Sequence, residues 1–217
     1  ISLGEGAEVI AEEMQISREE QDAFALESHR RAIDAINSGK FEKEICAIPV
    51  KQRRGDAVLV DIDEHPRYNK TEKGYELAID MEGLAKLPAA FKKDGTVTAG
   101  NSSGINDGAA ALLLASQEAA LNHGYKPKLK WLGSASAGTA PSHFGYGPVP
   151  ATQKLLKRFG LSVDDIGLFE LNEAFAAQAI GCIRKLDLDP QKTNVNGGAI
   201  ALGHPTGCSG ARILVSS

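Results

Sequence analysis

Cysteine, methionine and aromatic side chains are scarce in this 217-residue chain: three Cys, two Met, one Trp, and 6% aromatic residues overall. Cys46, Cys182 and Cys208 are an odd number at wide spacing, with no Cys-x-x-Cys. That fits a reducing compartment better than a disulfide framework. His204 and Cys208 stand one helical turn apart, but no second ligand pair accompanies them, which argues against zinc. No apolar run approaches the ~20 residues needed to span a bilayer. Basic charge is not in excess either, with 24 Lys and Arg against 28 Asp and Glu and a net charge of -4. The balance argues against nucleic acid as the main partner. Two phosphate-binding signatures are missing: no Gly-Lys-Ser/Thr closes a Walker loop, and no G-x-G-x-x-G is present.

What remains is ordinary globular composition, 42% hydrophobic and 24% charged, long enough for one or two domains with a real core. The chain turns on Asn194–Arg212, which holds five glycines around a Gly203-His204-Pro205 step. Glycine lets backbone approach a ligand closely, so this is a poor core segment and a good site-building one. Thr193–Asn196 reads as the end of a short strand, and Ser209 as the cap of a helix running into Ile213, Leu214 and Val215. Free N–H groups at such a start favour negative charge, on a phosphate or on a developing oxyanion. A tight turn around a buried histidine would explain the same residues.

Upstream, Ser17-Arg18-Glu19-Glu20 predicts a capping box opening a helix to Asn37, stopped by Gly39. Ala25, Ala32, Ile33 and Ile36 share one face of it, and His29 reads as a surface or packing residue. Ile45–Val50 and Ala57–Ile62 read as strands flanking Lys51-Gln52-Arg53-Arg54-Gly55-Asp56, and a second basic cluster follows at Arg67, Lys70 and Lys73. These clusters could face a polyanionic ligand, but a solvated hairpin tip and loop is the favoured reading of the residues alone. Leu84–Phe91 predicts a short helix broken by Pro88. Thr98–Gly108 is small, glycine-rich and nearly uncharged, which suits close approach to a ligand.

Gly108 leads into Ala109–Ala115, an apolar run expected as a strand buried on both faces. Ser116 should cap a helix closed by Gly124, Trp131–Ala137 should form another strand, and Pro150 should open a helix ending at Gly160. His143, in the loop between, reads as incidental. Ile166–Leu171 is expected as a strand, with Asn172-Glu173 at its carboxyl end, where open α/β sheets place ligands. Asn172 could cap the next helix, offer a positioned amide, or do both. Phe175, Ala179, Ile183 and Leu186 then recur at helical spacing. Strand–helix alternation over 108–215 predicts a layered α/β architecture, and residues 1–104 a more irregular α+β lobe.

Three segments together resemble the thiolases, acetyl-CoA acetyltransferases in particular: Asn172-Glu173-Ala174-Phe175-Ala176, Asn194–Gly210 with its Gly-His-Pro, and Thr98–Gly108. The Ser17–Phe24 stretch is also similar to that family. The resemblance implies a partial thiolase-like layered α/β fold. Residues 1–104 would be a coenzyme A-binding loop domain, 105–125 the last strand–helix of the N-terminal domain, and 126–217 an incomplete C-terminal domain. It implies an acyltransferase that condenses two acetyl-CoA to acetoacetyl-CoA, or thiolyses it, through an acyl-cysteine. That cysteine would lie ahead of Ile1 and a second, acid/base one beyond Ser217, so a fragment with two cut ends, inactive alone, is expected.

By the same resemblance His204 would activate the cysteine and donate to the thioester oxygen, and Asn172 would fix a water supplying the second donor. Arg67 would meet the adenine and phosphate end of coenzyme A, Leu87 and Phe91 the pantetheine arm, and Ser103 a point further along it. Leu3 and Phe175 would border the acyl pocket. Leu3 stands where many acetoacetyl-specific members have Met, and Gly83 where the family often has Ser, so that polar contact is expected to be lost. Coenzyme A enters as substrate and product, with no separate cofactor and no metal. A homotetramer in the cytoplasm or an organellar matrix is the family expectation. A longer-chain 3-ketoacyl-CoA thiolase and a non-catalytic acyl-CoA-binding or scaffold subunit are the alternatives.

Overall fold

Four helix starts in this chain are fixed by capping side chains, at Ser2, Ser17, Asp80 and Ser116, and a computed structural model describes all 217 residues. α1 (Leu3–Glu13) opens on Ser2, whose hydroxyl accepts from Glu5 N while the Glu5 carboxylate accepts from Ser2 N at 2.6 Å, a complete capping box. α2 (Arg18–Asn37) opens on Ser17, which accepts from Glu20 N at 3.1 Å. The reciprocal arm expected from Glu20 is absent, because its carboxylate pairs with Arg184 instead. Ala25, Ala32 and Ile33 are buried as their spacing predicts, and Ile36 is half-buried.

Two antiparallel hairpins follow. β1 (Ile48–Val50) pairs with β2 (Val58–Val60), and β3 (Tyr68–Thr71) with β4 (Gly74–Leu77). The next helix, α3, spans Met81–Ala85, earlier than the sequence suggests, because Asp80 accepts from Gly83 N at 2.7 Å and fixes its start. Ser116 caps α4 (Gln117–Asn122). A 3-10 turn, Pro141–Tyr146, runs into α5 (Pro148–Phe159), which starts at the earlier proline of the pair and closes on Gly160 at φ +65°. α6 (Ala176–Leu186), α7 (Ala199–Leu202) and α8 (Ser209–Ser216) complete the chain.

The core is organised around α6. Residues Ala176 to Cys182 are all buried, packed against α1, α2, α5 and the 3-10 turn. Ile10, Ile16, Ala25, Tyr146, Leu186 and Ile200 belong to the same apolar cluster. Close approach explains Gly181: a Cβ there would sit 2.9 Å from Ile10 Cγ2 and 3.0 Å from Tyr146 Cε1. A smaller cluster of Ala7, Val97 and Phe175 lies beside it.

The three expected parallel strands do not form. Ala109–Ala115 and Trp131–Ala137 have no regular pairing and are largely exposed, Leu113 at 78% and Trp131 at 56%. Ile166–Leu171 makes one parallel bridge, Phe169 to Thr193, held by Phe169 N to Lys192 O at 2.8 Å and Asn194 N to Phe169 O at 2.9 Å. A strand is completed by a neighbour's backbone row, which its own sequence does not specify; the 131–137 run lies instead against α5, with Arg158 donating to Ser134 O at 3.1 Å and Lys154 to Ser136 O at 3.3 Å. No helix is long and apolar enough to cross a membrane.

Candidate active site

The Phe169–Thr193 bridge sets two loops side by side, 171–175 and 194–198, and a buried carboxylate ties them together. Glu173 accepts from Ser28 Oγ at 2.7 Å, Asn194 Nδ2 at 2.8 Å and Ile200 N at 3.2 Å. Asn194 also brackets Leu171, accepting from its N–H at 2.7 Å and donating to its carbonyl at 2.8 Å. Gly198 gives room for this, since a Cβ there would fall 2.1 Å from Glu173 Cδ. Burial pushes the Glu173 carboxyl up, against the pull of Ser28, Asn194 and Ile200 N. Asn172 therefore projects from a segment fixed on both sides. It caps nothing: α6 begins at Ala176 and Phe175 holds the cap position.

His204 comes to the same point from the glycine-rich loop. Asn172 Nδ2 lies 3.4 Å from His204 Nε2, and Asn172 Oδ1 is buried with no hydrogen-bond partner. The His204 N–H donates to Gly104 O at 3.2 Å and Asn106 Oδ1 at 3.3 Å, which anchors the loop to the 98–108 segment. Gly203 is required here, with φ +89° and Asn106 against its α-carbon. On the other side of the ring Nδ1 meets Ser209 Oγ at 2.6 Å, and that hydroxyl donates to Pro205 O at 3.0 Å. Ser209 is thus the first residue of α8 and not its side-chain cap, because its hydroxyl is engaged with His204.

Burial and the nearby Arg212 cation lower the His204 pKa, which favours the neutral ring. A neutral imidazole carries one N–H. With the Ser209 proton directed at Pro205 O, the hydrogen-bond network assigns the imidazole proton to Nδ1 and leaves the Nε2 lone pair facing Asn172. The pair can accept a proton at Nε2 and, once protonated, return it to an oxygen held beside it.

The other residues singled out in the sequence sit on separate segments. Phe91 and Phe175 pack edge to face with centroids 5.7 Å apart, and the Phe91 ring lies over Gly4, next to Leu3 at 62% exposure. Leu87 Cδ1 contacts Gly100. Ser103 N and Oγ both donate to Ala174 O at 3.0 Å, tying that loop to the Asn172 segment. Arg67 is exposed, and its backbone N–H donates to His29 Nδ1 at 3.2 Å. His29 is buried, not a surface residue, and burial drops its pKa to about 4, which keeps Nδ1 an acceptor.

Sequence reasoning missed Ser28, Glu173, Asn194 and Asn106 as supports of the site. Asn106 and Asn194 lie within three residues of a glycine, the one available signal, whereas Ser28 and Glu173 have no glycine near them in sequence. A separate cavity of about 380 Å³ lies behind the loops, reached past Phe24, Ser28 and Glu173; neither Asn172 nor His204 lines it. No cluster of three or more metal-ligating side chains occurs.

The arrangement is a histidine on a glycine-rich loop facing an asparagine at the end of a short parallel bridge. Family models identify it further: the thiolase N-terminal domain matches residues 1–118 and the thiolase C-terminal domain residues 125–217. The chain belongs to the thiolase family, with its layered α/β fold.

It is 51% identical over 214 residues to an acetyl-CoA acetyltransferase of Chromobacterium violaceum, covering 99% of this chain and 52% of that one. It is 49% identical over 213 residues to a beta-ketoadipyl-CoA thiolase of Pseudomonas aeruginosa, covering 97% of this chain and 51% of the relative. The crystal structure of the Bacillus anthracis acetyl-CoA acetyltransferase superposes with a TM-score of 0.93 at 48% identity, over 100% of this chain and 52% of that one. Human mitochondrial 3-ketoacyl-CoA thiolase in complex with CoA superposes with a TM-score of 0.87 at 47% identity, over 97% and 50%. The chain spans about half the length of the relatives it matches.

Proposed function

We propose that the protein is a thiolase that transfers acetyl groups between coenzyme A thioesters, condensing two acetyl-CoA to acetoacetyl-CoA and free CoA or running the thiolysis. The observation that carries this is the Asn172 carboxamide set 3.4 Å from His204 Nε2 with its own oxygen unpaired. A buried acceptor without a partner is a place for a bound water. That water, donating to Asn172 Oδ1, has a second proton for the thioester oxygen, and protonated Nε2 supplies another donor. Two donors on one developing oxyanion are the main electrostatic requirement of enolate chemistry.

The acyl group is carried by a cysteine thiolate supplied from outside residues 1–217. His204 Nε2 takes its proton as sulfur attacks the first thioester, and CoA leaves as the thiol. A second acetyl-CoA then gives a methyl proton to an acid/base cysteine thiolate, also supplied from outside residues 1–217, and its carbanion attacks the acyl-cysteine carbonyl, expelling the nucleophilic cysteine as its thiolate. Cys182 does not serve: its thiol donates to Gly145 O at 3.1 Å, and burial pushes its pKa up to about 11.

Coenzyme A would run with its phosphates towards Arg67, its pantetheine past Leu87, Phe91 and Ser103, and its acyl end between Leu3 and Phe175. It is substrate and product, and the reaction takes no separate cofactor. Residues 1–104, 105–125 and 126–217 serve as loop domain, end of the N-terminal domain and C-terminal domain, in a cytoplasmic homotetramer. A second reading, thiolysis of longer or carboxylated 3-ketoacyl-CoAs, is favoured by the 49% identity to a beta-ketoadipyl-CoA thiolase.

The test is to incubate full-length protein with acetyl-CoA and search for one acetylated cysteine by mass spectrometry, then compare acetoacetyl-CoA with longer 3-ketoacyl-CoAs in thiolysis. A protein that is never acylated is a binding or scaffold subunit, and the reading fails.

A further inference from the structure

Arg18 is the first residue of α2, and its side chain leaves the helix for a different part of the molecule. Its Nη2 donates to Leu84 O at 2.6 Å and to Leu87 O at 3.0 Å. Its Nε donates to Asp22 Oδ2 at 2.7 Å, and Asp22 is almost fully buried. The other Asp22 oxygen accepts from Asn101 Nδ2 at 2.9 Å, and Asn101 Oδ1 accepts from Thr98 N at 2.8 Å. Asn101 O then accepts from Ala176 N at 2.9 Å, the first residue of α6.

One unbroken chain of hydrogen bonds thus joins the turn carrying Leu87, the loop carrying Ser103 and the segment ending in Phe175. These are three pieces of backbone distant in sequence, and each carries a residue, Leu87, Ser103 or Phe175, to which the coenzyme A reading gives a ligand contact. Leu84 O also accepts from Leu87 N at 3.0 Å, and a planar guanidinium adds donors that reach both carbonyls at this helix end and a carboxylate together.

We infer that Arg18, acting through Asp22 and Asn101, is a positioning residue that fixes the width of the pantetheine channel. It touches neither substrate nor the Asn172–His204 pair, so it governs binding of the pantetheine arm and not the chemical step. The inference rests on the coenzyme A reading above and deepens it.

The test is binding to full-length protein by calorimetry, with coenzyme A and with 3′-phospho-ADP, which keeps the phosphates and lacks pantetheine. Arg18→Met should weaken coenzyme A by about tenfold or more, as small misplacements of a positioning wall do. Binding of 3′-phospho-ADP should stay unchanged. In turnover, the KM for acyl-CoA should rise while kcat at saturation stays within about twofold. Removing the guanidinium leaves Asp22 buried and unpaired, which can unfold the protein. The double variant Arg18→Met, Asp22→Asn removes that charge and should show the same ligand selectivity.

Equal loss of both ligands, or a fall in kcat with KM unchanged, would overturn the positioning role. So would wild-type affinity for coenzyme A in a folded variant. Wild-type protein that binds neither ligand refutes the coenzyme A reading together with this one, and is told apart by that control alone.

Discussion

Glu170 sits two residues before Asn172, half-buried, and burial pushes its carboxyl up to about 7 despite the attraction of Arg212; Glu173 and Glu44 push the same way. An acid whose pKa is raised on folding penalises the folded state when ionised. The stability associated with its neutral form is fully present below about 4.5 and is lost as pH rises through about 7. A shift of that size corresponds to about 3.4 kcal/mol at most, and the group's partial exposure to solvent brings the expected effect to about 2–3 kcal/mol. Glutamine holds the same shape without the charge, so Glu170→Gln should be indistinguishable from wild type near pH 4.5. At pH 8 it should be more stable by up to that amount, or several degrees in Tm. Thermal unfolding of both proteins at matched ionic strength from pH 4.5 to 8.5 reads the difference directly. Parallel curves across that range would show that Glu170 is not held above its ordinary range and would refute the reasoning.

Two substitutions probe the supports of the site. Gly198→Ala would drive a methyl into the Glu173 carboxylate, where every nearby atom is fixed. Overpacking of this kind costs about 1–3 kcal/mol, with more from the displaced hydrogen bonds, so a Tm drop should accompany a lower kcat. A variant as stable as wild type would place Glu173 elsewhere. Ser209→Ala should leave stability within about 1 kcal/mol but release the His204 ring, lowering kcat by about tenfold and altering the pH–rate profile. An unchanged profile would mean the Nδ1 contact does not hold the ring.

Features that depend on a few adjacent residues were legible in the sequence. The caps at Ser17 and Ser116 and the stop at Gly160 are local events, settled by one hydroxyl or one left-handed residue. Asn172 and His204 could be picked out, since polar groups between a strand end and a glycine-rich loop have few structural uses. The strands over 109–115 and 131–137 were misread because apolar character describes what a strand buries and not what it pairs with. Ser209 was misread for a related reason: a serine at a helix start has two possible partners, and only the fold shows that His204 takes the hydroxyl. The Arg18–Asp22–Asn101 chain spans dozens of residues and has no local signature at all.

The most direct measurement is the turnover of His204→Ala and Asn172→Ala in full-length protein, with folding checked by Tm. Each should lose about 10²–10³ in kcat, as removal of one oxyanion donor does, with Tm nearly unchanged. A folded variant of either residue that turns over acetoacetyl-CoA at the wild-type rate would contradict a shared role for the imidazole and the carboxamide.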